Sequence, residues 1–147
     1  MCAFHVLEVE PQLIDEYVRT GALRIISRPL LQSGPSSLRA AHAATCAGEQ
    51  QQYFAMRSLI YANIGMLYTA ENIDVALSEL AGQIAIDRTA FDGCMTSNRH
   101  EQLLYEGFAR AKNDGVQTRP VFDINDTRII GGRSYADFVT IFASLQP

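Results

Sequence analysis

Gly115-Val116-Gln117-Thr118-Arg119-Pro120-Val121-Phe122-Asp123-Ile124-Asn125 is the stretch at which the sequence stops reading as helix. Upstream of it the apolar residues recur at three- and four-residue intervals. From Pro120 a short β-prone run, Val121-Phe122-Asp123-Ile124, pauses at Asn125-Asp126 and resumes as Thr127-Arg128-Ile129-Ile130, closed by Gly131-Gly132. Two such runs around a two-residue Asn-Asp step predict a β-hairpin. Ser134 then predicts the cap of a last helix carrying Tyr135, Phe138, Val139, Ile141, Phe142 and Leu145.

Working back to the start, Phe4, Val6, Leu7, Val9, Leu13, Ile14, Tyr17 and Val18 recur at helical spacing between Ala3 and Arg19. Pro11 predicts a kink in that helix, and Gly21 its C-terminal cap. Ala22-Leu23-Arg24-Ile25-Ile26-Ser27, stopped by Pro29, reads as a strand. Ser33-Gly34-Pro35-Ser36 reads as a loop, with Ser36 or Ser37 capping an Ala-rich helix to about Ala47. Further helices are predicted over Gln51 to Ala62, Glu71 to Ala85, Asp87 through Cys94, and from Ser97 or Asn98 to Asp114-Gly115. The expected order is helix, strand, helical block, hairpin, helix.

The chain has 147 residues and a formal net charge of -4, which fits one compact domain spanning residues 1–147. Lys112 is the only lysine and the arginines are scattered, so no basic stripe for nucleic acid is present. No apolar run approaches the roughly 18 residues of a membrane span, and Met1 is followed by no export-signal pattern. Cys2, Cys46 and Cys94 permit one disulfide and leave one thiol over. They contain no close ligand pair of the kind a zinc site shows, so no metal is expected. His5, His42 and His100 read as solvated or core histidines, with His5 close enough to the N-terminus of the first helix to act on a thiolate there by charge. No Ser-His-Asp order, phosphate loop or paired-carboxylate motif stands out.

Four stretches together resemble the DsbA-like family of exported bacterial thiol–disulfide oxidoreductases. They are Glu10-Pro11-Gln12-Leu13-Ile14-Asp15-Glu16-Tyr17-Val18 with Gly21; Ala43-Ala44-Thr45-Cys46-Ala47-Gly48-Glu49-Gln50; Phe91-Asp92-Gly93-Cys94; and Gly115-Val116 leading into Thr118-Arg119-Pro120-Val121-Phe122-Asp123-Ile124-Asn125. The resemblance implies an α/β, thioredoxin-like fold with a helical insertion over about residues 36–114, lacking the N-terminal central strand. It implies that Cys2 is the second Cys of a C-x-x-C motif whose first Cys would fall two residues before Met1, so that exchange by this chain is impaired. Phe4-His5 stands one position nearer to Cys2 than in the usual pattern. Pro120 matches the family's cis-Pro, which faces the motif and docks substrate. Arg119 stands where Thr or Val is more usual.

The same resemblance implies a structural disulfide between Cys46 and Cys94, the alternative being two buried thiols. It implies an extracytoplasmic location, in the periplasm or at the cell surface, and no cofactor. Its implied partners are reduced or disulfide-bonded polypeptides and a redox partner protein. The absent central strand leaves three outcomes: a gene start placed too late, which is favoured; re-pairing of the remaining strands; or an oligomer in which a second chain supplies a strand. Two other functions stay open. One is a non-catalytic peptide- or thiol-binding module, and the other a glutathione-dependent transferase or isomerase in which Ser replaces the first Cys.

Overall fold

The computed structural model describes residues 1–145. It is mostly helical with one two-stranded antiparallel sheet, an α/β composition. The chain divides into two compact units: Met1–Ser27 with the segment from Gly115 onward, and Arg28–Asp114.

Helix α1 occupies residues 2–18 and alternates two windings. The turns Cys2–Phe4 and Glu10–Leu13 are α, while His5–Val9 and Ile14–Val18 are π. Pro11 opens the second α turn without ending the helix, because the wider π turn before it makes room for a ring with no N–H to offer. Gly21, at φ 80°, closes the helix: its N–H donates to the Val18 carbonyl, and that of Leu23 to the Tyr17 carbonyl. The strand expected over Ala22 to Ser27 does not form. Leu23 and Ile25 pack inward beside Val9, Leu13 and Phe138 while Arg24 and Ile26 are exposed, which is strand-like alternation. The backbone nevertheless joins no ladder, since among the described residues the sheet contains only the two hairpin strands.

The second unit is built from α2 (Gly34–Gly48), α3 (Tyr53–Ala62), α4 (Ile64–Thr69), α5 (Ile73–Ala81), α6 (Arg88–Ser97) and α7 (Glu101–Asn113). Helix α2 starts earlier than expected, at Gly34-Pro35. Neither Ser36 nor Ser37 caps it; Ser37 Oγ instead accepts from the Ser33 N–H and donates to the Gly34 carbonyl. The side chains of Asn72 and Asp87 do cap α5 and α6. Asn98, expected as a possible start for α7, is left-handed at φ 54° and ends α6, so α7 begins three residues later. Helix α4 has no counterpart among the expected elements; Asn63 closes α3 and opens α4.

Ala40, Ala43, Ala44 and Ala47 form one buried face of α2, spaced i, i+3, i+4 and i+7. Their small side chains admit Met56, Leu67, Leu77, Leu80 and Phe91 into a single core. Arg39 fastens the rim of that core, with its side chain only 15% exposed. It makes a two-pronged contact to Asp74 at 2.8 and 3.0 Å, and donates to Asn98 Oδ1 and Glu101 Oε1 at 2.7 Å each and to the Met95 carbonyl at 3.0 Å. One side chain thereby ties α2 to α5, α6 and α7.

The hairpin pairs β1 (Val121–Ile124) with β2 (Thr127–Ile130), Val121 opposite Ile130 and Ile124 opposite Thr127. Asn125 takes the left-handed conformation that the two-residue turn demands, at φ 51°. Helix α8 (Tyr135–Leu145) is capped reciprocally: the Asp137 N–H donates to Ser134 Oγ and the Ser134 N–H to Asp137 Oδ2. Phe122 packs edge-on against Phe138 and Tyr17 against Phe142, each with ring centroids 5.0 Å apart.

Replacing Arg39 by Ala strands the Asp74 and Glu101 carboxylates and the Met95 carbonyl. It should lower the unfolding free energy by ~3 kcal/mol in urea denaturation. Arg39→Lys should recover less than half of that, because an ammonium cannot reproduce the fork to Asp74.

Candidate functional site

Cys2, the one free cysteine, opens α1 and is half-buried. His5 follows one turn later in the first π turn and is buried, with its ring 4.6 Å from that of Phe122 and 5.6 Å from that of Phe138. His5 Nε2 lies 3.8 Å from Glu10 Oε2, and Glu10 is itself only 3% exposed. A buried carboxylate in an aromatic core requires a charged or donating partner, and the imidazole beside it is one. His5 therefore packs into the core and forms part of it, a role that helical spacing alone does not reveal.

The far end of the hairpin meets the start of α1. The Gly131 N–H donates to the Pro120 carbonyl at 2.9 Å. A Cβ on Gly132 would displace the Met1 methyl, the far end of a flexible side chain, and lie 3.8 Å from Met1 Cβ, so the two segments are neighbours. Pro120, Gly132 and the N-terminus of α1 thus share one end of the unit. The Arg119–Pro120 peptide bond is cis, Pro120 is half-buried, and Arg119 is exposed. This end presents a thiol, a proline loop and a cation to solvent. That set suits capture of a sulfur-bearing or extended ligand.

A second constellation lies in the helical unit. Cys46 and Cys94 are joined as a disulfide, 48 residues apart in sequence, and both are buried. His42 stands one turn before Cys46 on α2 and is fully buried. Burial, and then the Arg39 charge, push its pKa down, so the ring is neutral near pH 7. Its Nδ1 lies 3.3 Å from Arg39 Nη1, whereas its Nε2 has no hydrogen-bond partner. The His100 ring meets the His42 ring edge-on, with centroids 5.8 Å apart. Glu49 completes the group: Oε1 lies 2.6 Å from His100 Nε2 and 3.7 Å from Cys94 Sγ, and Arg99 grips both carboxylate oxygens at 2.8 and 2.5 Å.

The sequence reading places Cys2 and His5 on α1 and Arg119 and Pro120 before β1, and the structure has them there. It separates His42 and His100 as unrelated core or surface residues, yet the fold brings them together beside the disulfide. The i, i+4 spacing of His42 and Cys46 was the available signal for that grouping. Arg39 and Glu49, neither singled out from the sequence, each join several elements of this unit through polar contacts. A family model described as thioredoxin matches residues 1–143. No curated protein matches the chain.

Hydrogen bonds from Arg99, assisted by His100, hold the Glu49 carboxyl well below the usual range, at about 2. A depressed carboxylate stabilises the fold fully above its unfolded value near 4.5 and loses that contribution as pH falls through about 2. Glu49 is more than a third exposed, so solvent screening limits the contribution to ~1 kcal/mol. Glu49→Gln should therefore be less stable than wild type by that amount at pH 7. The gap should close between pH 4.5 and 2 in a series of urea melts.

Proposed function

We propose, on the premise that this chain belongs to the thioredoxin family, that it is a thiol–disulfide exchange domain of the DsbA-like branch. In this reading Cys2 is the second thiol of a C-x-x-C pair, and Arg119-Pro120 is the loop against which a cysteine-bearing peptide docks. The observation that carries it is the free, half-buried Cys2 at the start of α1, at the end of the unit where Gly132 and Pro120 also lie. His5 follows three residues further on in the same helix, buried against Phe122 and Phe138. Arg119 attracts an acidic flank of the bound polypeptide.

The chemistry proposed for Cys2 is attack of its thiolate on a disulfide sulfur. One S–S bond forms, the old one breaks, and the displaced sulfur leaves as a thiolate that takes up a proton. With the residues of this sequence the product is a mixed disulfide. Turnover requires a second thiol two residues before Met1, to which the bond can pass. The buried Cys46–Cys94 bond supports a location in an oxidising compartment outside the cytoplasm. The partners that follow are reduced or disulfide-bonded polypeptides and a redox protein that resets Cys2.

Incubating the native chain with glutathione disulfide should yield one glutathione adduct per molecule by intact-mass spectrometry, and Cys2→Ser none. A chain extended at its N-terminus to place a Cys two residues before Met1 should catalyse dithiol-driven reduction of insulin. The same extension carrying Cys2→Ser should lose most of that turnover. A Cys2 that stays unmodified in the folded chain, together with an extended chain that is inert, would refute the assignment.

A further inference from the structure

His42 and Cys46 leave the same face of α2 one turn apart, and Cys94 reaches them from α6. Their ligand-type atoms lie within 4.8 Å of one another, and all three residues are buried. The ligand-type atoms of Glu49 and His100 lie within the same distance of Cys94 and of each other. With Nδ1 of His42 set against Arg39, its Nε2 is the nitrogen left for the sulfurs, and that atom is buried with no partner. A buried polar atom left unsatisfied is unfavourable, and native structures rarely retain one without a use. While Cys46 and Cys94 are bonded to each other, nothing among the described residues engages this nitrogen.

The geometry points to a zinc-type site that exists only in the dithiol state of this pair. Its ligands are the Cys46 and Cys94 thiolates, His42 Nε2 and the Glu49 carboxylate, which Arg99 and His100 hold in place. A dithiol reductant passes two electrons and two protons to the disulfide, giving two thiols and its own disulfide. Zn²⁺ then replaces the two thiol protons, which go to solvent, while the proton of the neutral His42 ring passes from Nε2 to Nδ1, which gives up its contact with Arg39 and leaves Arg39 Nη1 to Asn98 and Glu101. Two thiolates and an imidazole are the donor set that zinc prefers, and two sulfur charges offset the charge of the ion. Zinc–sulfur and zinc–nitrogen bonds of about 2.3 and 2.0–2.1 Å set neighbouring tetrahedral donors roughly 3.4–3.8 Å apart. Once the sulfurs part, His42, Cys46 and Cys94 have to draw in by about 1 Å and the Glu49 carboxylate has to turn from Cys94 toward the other two, movements within reach of side-chain rotation. The disulfide and the metal are then alternative cross-links between the same two helices, chosen by redox state. Cys2 and the exchange chemistry proposed for it play no part.

The test is cobalt binding to the whole chain. After reduction with dithiothreitol and anaerobic desalting, titration with Co²⁺ should give one ion per chain, with the intense visible bands of a tetrahedral site and a thiolate-to-cobalt charge-transfer band. Zn²⁺ should displace it, and the oxidised chain should show none of these bands. Cys2→Ser should leave the spectrum unchanged. His42→Gln and Glu49→Gln should each weaken binding at least ~10-fold and shift the visible bands. Glu49 lies at the surface, so its variant keeps the test open if His42→Gln fails to fold. Helical circular dichroism recorded beside each titration separates folding from binding: helix lost on reduction and regained with cobalt counts as the expected result. Absence of tetrahedral bands in reduced wild type would overturn the inference, and so would a spectrum unchanged by both variants or abolished by Cys2→Ser.

Discussion

The helical unit depends on one guanidinium. Helices α2, α5, α6 and α7 each have polar groups at their rim that would stand unpaired if the helices drifted, and Arg39 meets all of them at once: Asp74, the Met95 carbonyl, Asn98 and Glu101. Its charge is matched by two carboxylates, so it can be largely buried. The planar fork fixes direction as well as distance, which a hydrophobic contact does not. The alanine face of α2 explains how closely the helices approach, and Arg39 explains why they stop in one arrangement.

Much of this architecture was legible in the sequence because it rests on local rules. The hairpin follows from two β-prone runs around Asn125-Asp126, the start of α6 from Asp87, and the end of α1 from Gly21. The failures are equally physical. Ala22 to Ser27 has the alternation of a strand, but a strand is a property of two chains of backbone, and none of the described residues pairs with it in a ladder. Asn98 looks like a helix start, yet an asparagine that tolerates the left-handed conformation serves a helix end equally well, and here it does. Helix α4 has six residues, too few for a helical period to mark it.

The two chemical constellations differ in the same way. Cys2 and Pro120 could be singled out because a family resemblance along the chain gave each an expected place in a short motif. The His42, Cys46, Glu49, Cys94 and His100 group could not, since α2 contributes two of its members, the residue that follows it a third, and α6 and the loop after it the other two. Only packing unites them. Spacing along one helix hinted at His42 with Cys46, but the value of that pair depends on what a different helix brings opposite.

The π turns of α1 have a consequence for where the thiol at its tip faces. Five residues along an α-helix carry a side chain to nearly the opposite side of the cylinder, yet His5 and Glu10 lie against one another because the turn between them is wound wider. Such a turn is an α-helix with one residue to spare. Deleting a single residue between His5 and Glu10 would let the backbone return to ordinary winding with the two residues four apart and still on one face, so both ends of the helix would keep their bearing. Winding the same residues as α throughout would instead rotate everything before the turn by about 100° relative to everything after it. Cys2 would then keep its helix and its sequence neighbours, while the approach of Met1 to Gly132 would be lost. The place of this thiol is set by the width of one turn, and it can be lost without changing any side chain that touches it.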